Sequence, residues 1–273
     1  AIVNKINKLK KKNKQIKVLN SLDFLTKTSS IVRENSKGKI VAITGSCGKT
    51  SLKELLKETL SQFGKVNSSP KSFNNKYGVP LSLFNMNFDH DYGIFEVGMD
   101  KKGEIDYLSK IIKPDIGVIT NISYAHAKNF KNIKQIAMAK AEIINNINEG
   151  GTIILNSDDH FFNLHKKISI RKKLKVYTFG INKKAHIKLK FIKKEKNKFK
   201  VHIMINNKKK YFYISNNFEN YIKNILGVIA IISVFKDPLK LDKNIFYKFR
   251  VPEGRGDITK IKFKQKKINL IDE

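Results

Sequence analysis

One stretch, Val41-Ala42-Ile43-Thr44-Gly45-Ser46-Cys47-Gly48-Lys49-Thr50, limits what this chain can fold into more than any other. Ile40 to Ile43 is a short apolar run, as expected of a parallel strand covered on both faces. Two glycines then let the backbone turn tightly and approach a ligand with no Cβ in the way. If a helix starts next, the loop amides and the helix N-terminus aim at an anion. Lys49 adds a full positive charge beside phosphates, and Thr50 offers a hydroxyl to Mg²⁺. This order of residues predicts a nucleoside triphosphate site. The generic motif has a longer gap between its glycines; here only Ser46 and Cys47 separate Gly45 from Gly48. The plainer alternative is a glycine turn followed by a chance Lys-Thr. It is the weaker one, because it leaves an exposed lysine beside the positive end of a helix with no task.

The chain has 273 residues, enough for one large or two smaller domains, and a formal net charge of +32. Nucleic acid or an anionic membrane is the sharp reading of such a charge. The excess is nearly all lysine and runs through the whole sequence, so a solvated basic surface is favoured and no nucleic-acid partner is expected. The single cysteine, Cys47, excludes an internal disulfide and fits a reducing, cytoplasmic location. It is read as a small loop-filling residue rather than a reactive thiol. No apolar run is long enough to span a membrane, and Ala1 to Ile16 lacks the apolar core of a signal peptide.

Residues 1–17 carry seven lysines and no acid, and read as a frayed strand and a basic loop. A weak helix is expected over Leu19 to Glu34. Leu52, Leu55, Leu56, Leu60 and Phe63 form a helical stripe that Gly64 ends. Val66 to Ser68 is a short strand, and Pro80 starts a helix to about Met86. Gly93 to Val97 is a buried strand containing Glu96, an acid too costly to bury without a partner or a metal. Gly103 to Ile112 is a helix and Asp115 to Thr120 a strand, with His126 in the loop beyond. Strand ends on one edge of an open parallel sheet are where ligands bind, so Thr50, Glu96 and His126 form a candidate metal group.

Asn132 to Asn148 is predicted to be one helix, with Lys140 on the same face as Ile133 and Ile136. A buried lysine is costly unless neutralised or paired; it either snorkels or is held or altered at the nucleotide site. Thr152 to Leu155 and Val176 to Phe179 are further strands, and Asp158 and Asp159 are placed to cap a helix. The alternation predicts an α/β fold, a doubly wound, mostly parallel sheet carrying the phosphate loop. After Gly180, residues 186–193, 198–205 and 210–214 predict a small antiparallel β extension with one solvated face. A helix follows over Phe218 to Phe235, then a turn bearing Arg255, apt for phosphate.

Taken together, these motifs resemble the Mur ligase family, the ATP-dependent amino-acid and peptide ligases of cell-wall precursor synthesis. Thr44 to Thr50 is similar to that family's short phosphate loop. Phe73-Asn74-Asn75-Lys76-Tyr77-Gly78-Val79-Pro80-Leu81 is similar to the branch that joins D-alanyl-D-alanine to UDP-N-acetylmuramoyl-tripeptide. So are Glu96-Val97-Gly98-Met99, Gly103-Glu104-Ile105, Thr120-Asn121-Ile122, Ala125-His126 and Ala139-Lys140-Ala141-Glu142-Ile143.

The resemblance implies ATP and Mg²⁺ as cofactors, those two molecules as substrates, and a monomer. It implies that Gly45, Ser46, Cys47, Gly48, Lys49 and Thr50 hold the phosphates, with Asn224 on adenine and Arg255 near the phosphates. Thr50 and Glu96 would ligate one Mg²⁺ and His126 a second. Lys140 would be a carbamylated metal partner; Lys49, Lys140 and His126 would serve catalysis, and Asn74 and Asn75 the substrate. Lys76, Lys128 and Asn220-Tyr221 depart from the family pattern. By this resemblance residues 1–36 are a remnant of an N-terminal domain with a linker helix, 37–256 the central ATP-binding domain, and 257–273 the start of a truncated C-terminal domain. Two alternatives stand beside this: another Mur-type or folylpolyglutamate-type ligase, and a non-catalytic basic nucleotide- or nucleic-acid-binding module.

Overall fold

The structure is a computed structural model that describes residues 2–6, 8, 11–124, 127–215, 221–249, 257–263 and 266–272. The first elements are two parallel two-residue strands, β1 (Ile2–Val3) and β2 (Ile16–Lys17). Helix α1 (Ser21–Asn35) is started by the Asn20 side chain, which accepts from the backbone of Leu22 and Asp23. Its Arg33 donates to the carbonyls of Ile112 and Lys113.

Strand and helix then alternate: β3 (Lys39–Thr44), α2 (Lys49–Leu60), β4 (Val66–Ser68), α3 (Gly78–Phe84), β5 (Tyr92–Glu96), α4 (Glu104–Ile112), β6 (Ile116–Ile119), α5 (Ile133–Ala141), β7 (Thr152–Asn156), α6 (Phe162–Arg171) and β8 (Lys175–Gly180). Three antiparallel strands follow, β9 (Ile187–Glu195), β10 (Lys198–Ile205) and β11 (Lys208–Ser215), then α7 (Ile222–Phe235) and a hairpin of β12 (Asp257–Phe263) and β13 (Lys266–Asp272).

Strands β3 to β11 make one nine-stranded sheet in the order β11-β10-β9-β8-β7-β6-β3-β5-β4. All pairs from β4 to β9 are parallel, and β9, β10 and β11 pair antiparallel. The expected doubly wound sheet with an antiparallel extension is therefore present. The extension is continuous with the sheet, because β8 pairs with β9 through Phe179↔Ile187 and Gly180↔Lys188. The chain runs from β3 to one side, through β4 and β5, and returns to place β6 on the other. That reversal opens a crevice at the carboxyl ends of β3 and β6.

Two apolar layers hold the sheet. On one face Val41, Ile43, Ile94, Val118 and Ile154 pack with Leu52, Leu55, Leu56 and Leu60 of α2 and with α7. Burying each of those leucines contributes about 2–3 kcal/mol. On the other face Ile40, Ala42, Phe95, Ile119, Ile153 and Leu155 pack with residues of α3, α4 and α5. Helix α7 is apolar almost all round because the antiparallel strands also cover it, through buried Val201, Ile203, Ile205, Phe212 and Ile214. The alternate residues of β10 remain partly exposed, as the pattern predicts.

Several local expectations are corrected. Helix α2 ends at Leu60, before Gly64, and leaves Phe63 exposed with the Lys236 ammonium 5.6 Å from its ring centroid. Helix α3 starts at Gly78, so Pro80 lies within its first turn. The single helix expected over Asn132 to Asn148 is α5 followed by a 3₁₀ segment, Glu142–Asn146. There Glu142 turns its carboxylate to accept from the amides of Gly103 and Asp106 at the start of α4. Asp158 and Asp159 do not cap α6 in the expected way. Asp158 accepts from Ile181 and Asn182, and Asp159 from Ile122 and Phe161, so both acids tie loops together. Among the described residues no helix is long and apolar enough to cross a membrane.

Candidate functional site

The phosphate-type loop sits at the crevice between β3 and β6 and is laced to the chain that leaves β6. The Ser46 amide donates to the Asn121 carbonyl at 2.9 Å and the Cys47 amide to Asn121 Oδ1 at 2.9 Å. Thr120 Oγ1 donates to the Cys47 carbonyl at 2.7 Å, and the Ser123 amide to Ser46 Oγ at 2.8 Å. Gly45 has φ 148°, and a Cβ there would stand 1.9 Å from Thr120 Oγ1. Only glycine fits that combination of angle and closeness. Gly48, at φ 81°, starts α2 without a side-chain cap, so the positive end of the helix dipole opens on the loop. Lys49 Nζ lies over the loop, donating to the Gly45 carbonyl at 3.0 Å.

A carboxylate closes the other side. Glu96 ends β5, is 1% exposed, and accepts from Thr50 Oγ1 through Oε2 and from Asn74 Nδ2 through Oε1, each at 2.8 Å. The Ser72 hydroxyl lies 3.4 Å from that of Thr50, and the Glu96 amide donates to Ser69 Oγ at 3.2 Å. Among the described residues no group of three or more His, Cys, Asp or Glu side chains could hold a metal by itself. A hydroxyl and a carboxylate side by side nevertheless fit Mg²⁺ of the nucleotide-bound kind. That ion takes one or two protein oxygens, completes its shell with phosphate and water, and needs no all-protein cage.

Lys140, on α5, is 1% exposed, so it does not snorkel. Burial first and the nearby Lys49 cation second push its ammonium down to about 7, with Cys47 opposing the shift. Asn224, on α7, stands with Oδ1 3.0 Å from where a Gly48 Cβ would be.

The loop from Ser46 to Thr50, with Ser72, Asn74 and Glu96, lines a pocket of about 510 Å³ that runs on to Asn224, Tyr221 and Phe179. A neighbouring pocket of about 530 Å³ shares Lys49 and Asn74 with it and extends over Asn75 to Tyr107.

The structure thus brings together Gly45, Ser46, Cys47, Gly48, Lys49, Thr50, Asn74, Glu96 and Asn224, with Lys140 near enough to feel the charge of Lys49. Asn75 faces the second pocket, but its Oδ1 accepts from the amides of Tyr77 and Gly78 and so sets the start of α3. His126 and Arg255 lie outside the described residues. Sequence reasoning missed Ser69, Ser72 and above all Lys53. Lys53 is fully buried on α2, one turn beyond Lys49. A signal for it existed: it lies seven residues before Leu60, on the edge of the apolar stripe, as Lys140 lies beside the stripe of its own helix.

Residues 43–232 match the Mur ligase middle domain. The UDP-N-acetylmuramoyl-tripeptide–D-alanyl-D-alanine ligase of Rickettsia prowazekii (strain Madrid E) is 38% identical over 265 residues, which are 95% of this chain and 58% of that protein. The enzyme of the same name from Buchnera aphidicola subsp. Acyrthosiphon pisum (strain APS) is 42% identical over 165 residues, 57% of this chain and 36% of its own length. A crystal structure of MurF from Acinetobacter baumannii superposes with a TM-score of 0.84 at 25% identity, covering 99% of this chain and 58% of that one. MurF ligase from Thermotoga maritima, in complex with ADP, gives 0.80 at 22% identity over 94% and 58%. The chain therefore spans little more than half the length of the Rickettsia prowazekii relative.

Proposed function

The chain belongs to the Mur ligase family, and on that premise we propose that it forms the nucleotide-binding part of an ATP-dependent ligase joining D-alanyl-D-alanine to UDP-N-acetylmuramoyl-tripeptide. The observation that carries the reading is the 2.8 Å contact between Thr50 and Glu96 beside the phosphate-type loop. It sets a Mg²⁺-competent oxygen pair next to the positive end of α2. The similarity to curated ligases of that name supports the choice of substrates.

ATP would lie along the pocket of about 510 Å³, with its phosphates on the amides of Gly48 to Thr50 at the start of α2 and its base toward Asn224; the Ser46 and Cys47 amides are engaged by Asn121 and shape the loop. Lys49 would exchange the Gly45 carbonyl for phosphate oxygens. Bound Mg²⁺, held by Thr50 and Glu96, would neutralise charge on the transferring group. By the resemblance, His126 and a carbamylated Lys140 would assist a second ion, and Arg255 would approach the phosphates. The peptide substrate would enter through the pocket shared by Lys49 and Asn74. Its carboxylate oxygen attacks the γ-phosphorus, forming a C–O–P bond as the P–O bond to ADP breaks. The amine of D-alanyl-D-alanine then attacks the acyl carbon, the amide forms, and inorganic phosphate leaves. Residues 37–256 would be the ATP-binding domain of that enzyme.

The test is phosphate release from ATP and Mg²⁺ by the enzyme at its full natural length, with and without the two substrates. Release that needs both supports the reading; ATP binding with no substrate-stimulated release overturns the ligase assignment and leaves the nucleotide site.

A further inference from the structure

Lys53 has no part in the chemistry just described, yet it is one of the most deeply buried large side chains among the described residues. A lysine is rarely fully buried without partners, and α2 could fill the same space with leucine. The reason for a lysine lies in its three N–H donors. Nζ donates to the Ser69 carbonyl at 2.6 Å and to the Lys71 carbonyl, and it pairs with Glu54 Oε1 at 2.9 Å. Each donor has an acceptor, and two of the three acceptors are backbone carbonyls of one short segment.

That segment is the wall facing Thr50. Ser69 accepts from the Glu96 amide, Ser72 touches the Thr50 hydroxyl, and Asn74 donates to Glu96 Oε1. Lys71, between them, has φ 45°, an unfavourable angle for a residue with a Cβ. The segment holds a strained turn while carrying Ser72 and Asn74, which contact the Thr50 and Glu96 side chains, and Ser69, which holds the Glu96 backbone. The cation that spans it comes from the same helix as Thr50, one turn away, so helix and wall are tied into one body.

We propose that Lys53 is a positioning residue of the metal–nucleotide site: it clamps Ser69–Lys71 to α2 and so holds Thr50 and Glu96 at ligating distance. The inference rests on the nucleotide reading above. It also separates roles along one helix face: Lys49 for phosphate, Thr50 for the ion, and Lys53 for the wall that aims them.

The test is calorimetric titration of the full-length enzyme and its Lys53→Met variant with ADP, with and without Mg²⁺, alongside electron paramagnetic resonance of Mn²⁺ bound with ADP. Methionine keeps the apolar stem and removes the donors. The expected result is a fall of about tenfold or more in the enhancement of ADP binding by the metal. Metal-free ADP affinity should stay near the wild-type value, because Lys49 and the loop amides remain. Wild-type enhancement in folded Lys53→Met overturns the proposal. If Lys53→Met fails to fold, Lys53→Gln, shorter and with only two N–H donors, is read instead. Folded Lys53→Gln with reduced enhancement supports the proposal. Folded Lys53→Gln with wild-type enhancement, or loss of fold in both variants, makes Lys53 a residue of the fold alone and overturns it. A wild-type enzyme that binds no Mg²⁺ with ADP fails the nucleotide reading itself, a result distinct from all of these.

Discussion

Thr50 on α2 and Glu96 at the end of β5 meet at 2.8 Å, Oγ1 donating to Oε2, although 46 residues separate them in the chain. The contact exists because β3 and β5 are parallel neighbours whose register pairs Ile43 with Glu96, bringing the loop and the acid to one edge. Glu96→Gln keeps the shape and removes the charge. We expect metal enhancement of ADP binding to drop about 10–100-fold, with thermal stability unchanged or higher because a buried charge is gone. Calorimetric titration and a melting curve check this; unaltered enhancement would remove Glu96 from the metal site.

Lys49 places its ammonium over the loop that would receive the phosphates. Lys49→Ala is expected to abolish ATP turnover in the full-length enzyme, as removing a cation aimed at the transferring group should. Steady-state phosphate release is the measurement, and wild-type turnover would sink the phosphate-loop assignment.

Lys140 is pushed down to about 7 by burial first and the Lys49 charge second. Only the neutral amine adds CO₂. At about pH 8 roughly nine-tenths of this lysine is neutral, against well under a hundredth of an ordinary one. Native mass spectrometry in bicarbonate should find about 44 Da, the mass of CO₂, on Lys140 at about pH 8. The added mass should vanish below about pH 6, since a fall through 7 restores the proton. A high-resolution map with bare Lys140 beside both bound metals would count against the modification.

Gly45 combines φ 148° with a neighbouring hydroxyl 1.9 Å from the place of a Cβ. Gly45→Ala must shift either the loop or Thr120. The expected cost is about 1–3 kcal/mol of stability, with weaker ADP binding because the loop amides lose their aim. Urea denaturation and ADP titration read the two effects; if neither changed, the loop would have to adopt another backbone path.

His165 is buried on α6 with Nε2 donating to the Ala137 carbonyl at 3.1 Å. Desolvation, partly offset by that bond, lowers its pKa from 6.5. As pH falls through 6.5 the unfolded chain takes up protons that the folded one refuses, so stability declines with acidification. His165→Gln should show a smaller decline in urea midpoint between about pH 6.5 and 5. An identical slope would move the acid sensitivity elsewhere.

Much of the site was legible in the sequence. The apolar run before Gly45, the Gly-Ser-Cys-Gly turn and Lys49-Thr50 are contiguous, so strand, loop and helix start follow from local geometry. Glu96 and Lys140 announced themselves as charges within apolar patterns. Lys53 gave the same signal on α2 and was passed over, because a lysine beside a leucine stripe reads as a solvated edge until the opposing carbonyls of Ser69 and Lys71 are seen.

The sequence by itself determined most of the segments that become strands and helices, and singled out one glycine turn between strand and helix as a phosphate-type loop. Periodicity, glycine and helix polarity act over a few residues. Tertiary structure decided the rest. It set which strand ends converge, that α5 yields to a 3₁₀ turn so Glu142 can serve α4, and that Asn75 starts a helix while Asn74 reaches Glu96. Those outcomes depend on strand register and on partners for buried charge and polar groups. Both arise only when residues far apart in the chain leave water together.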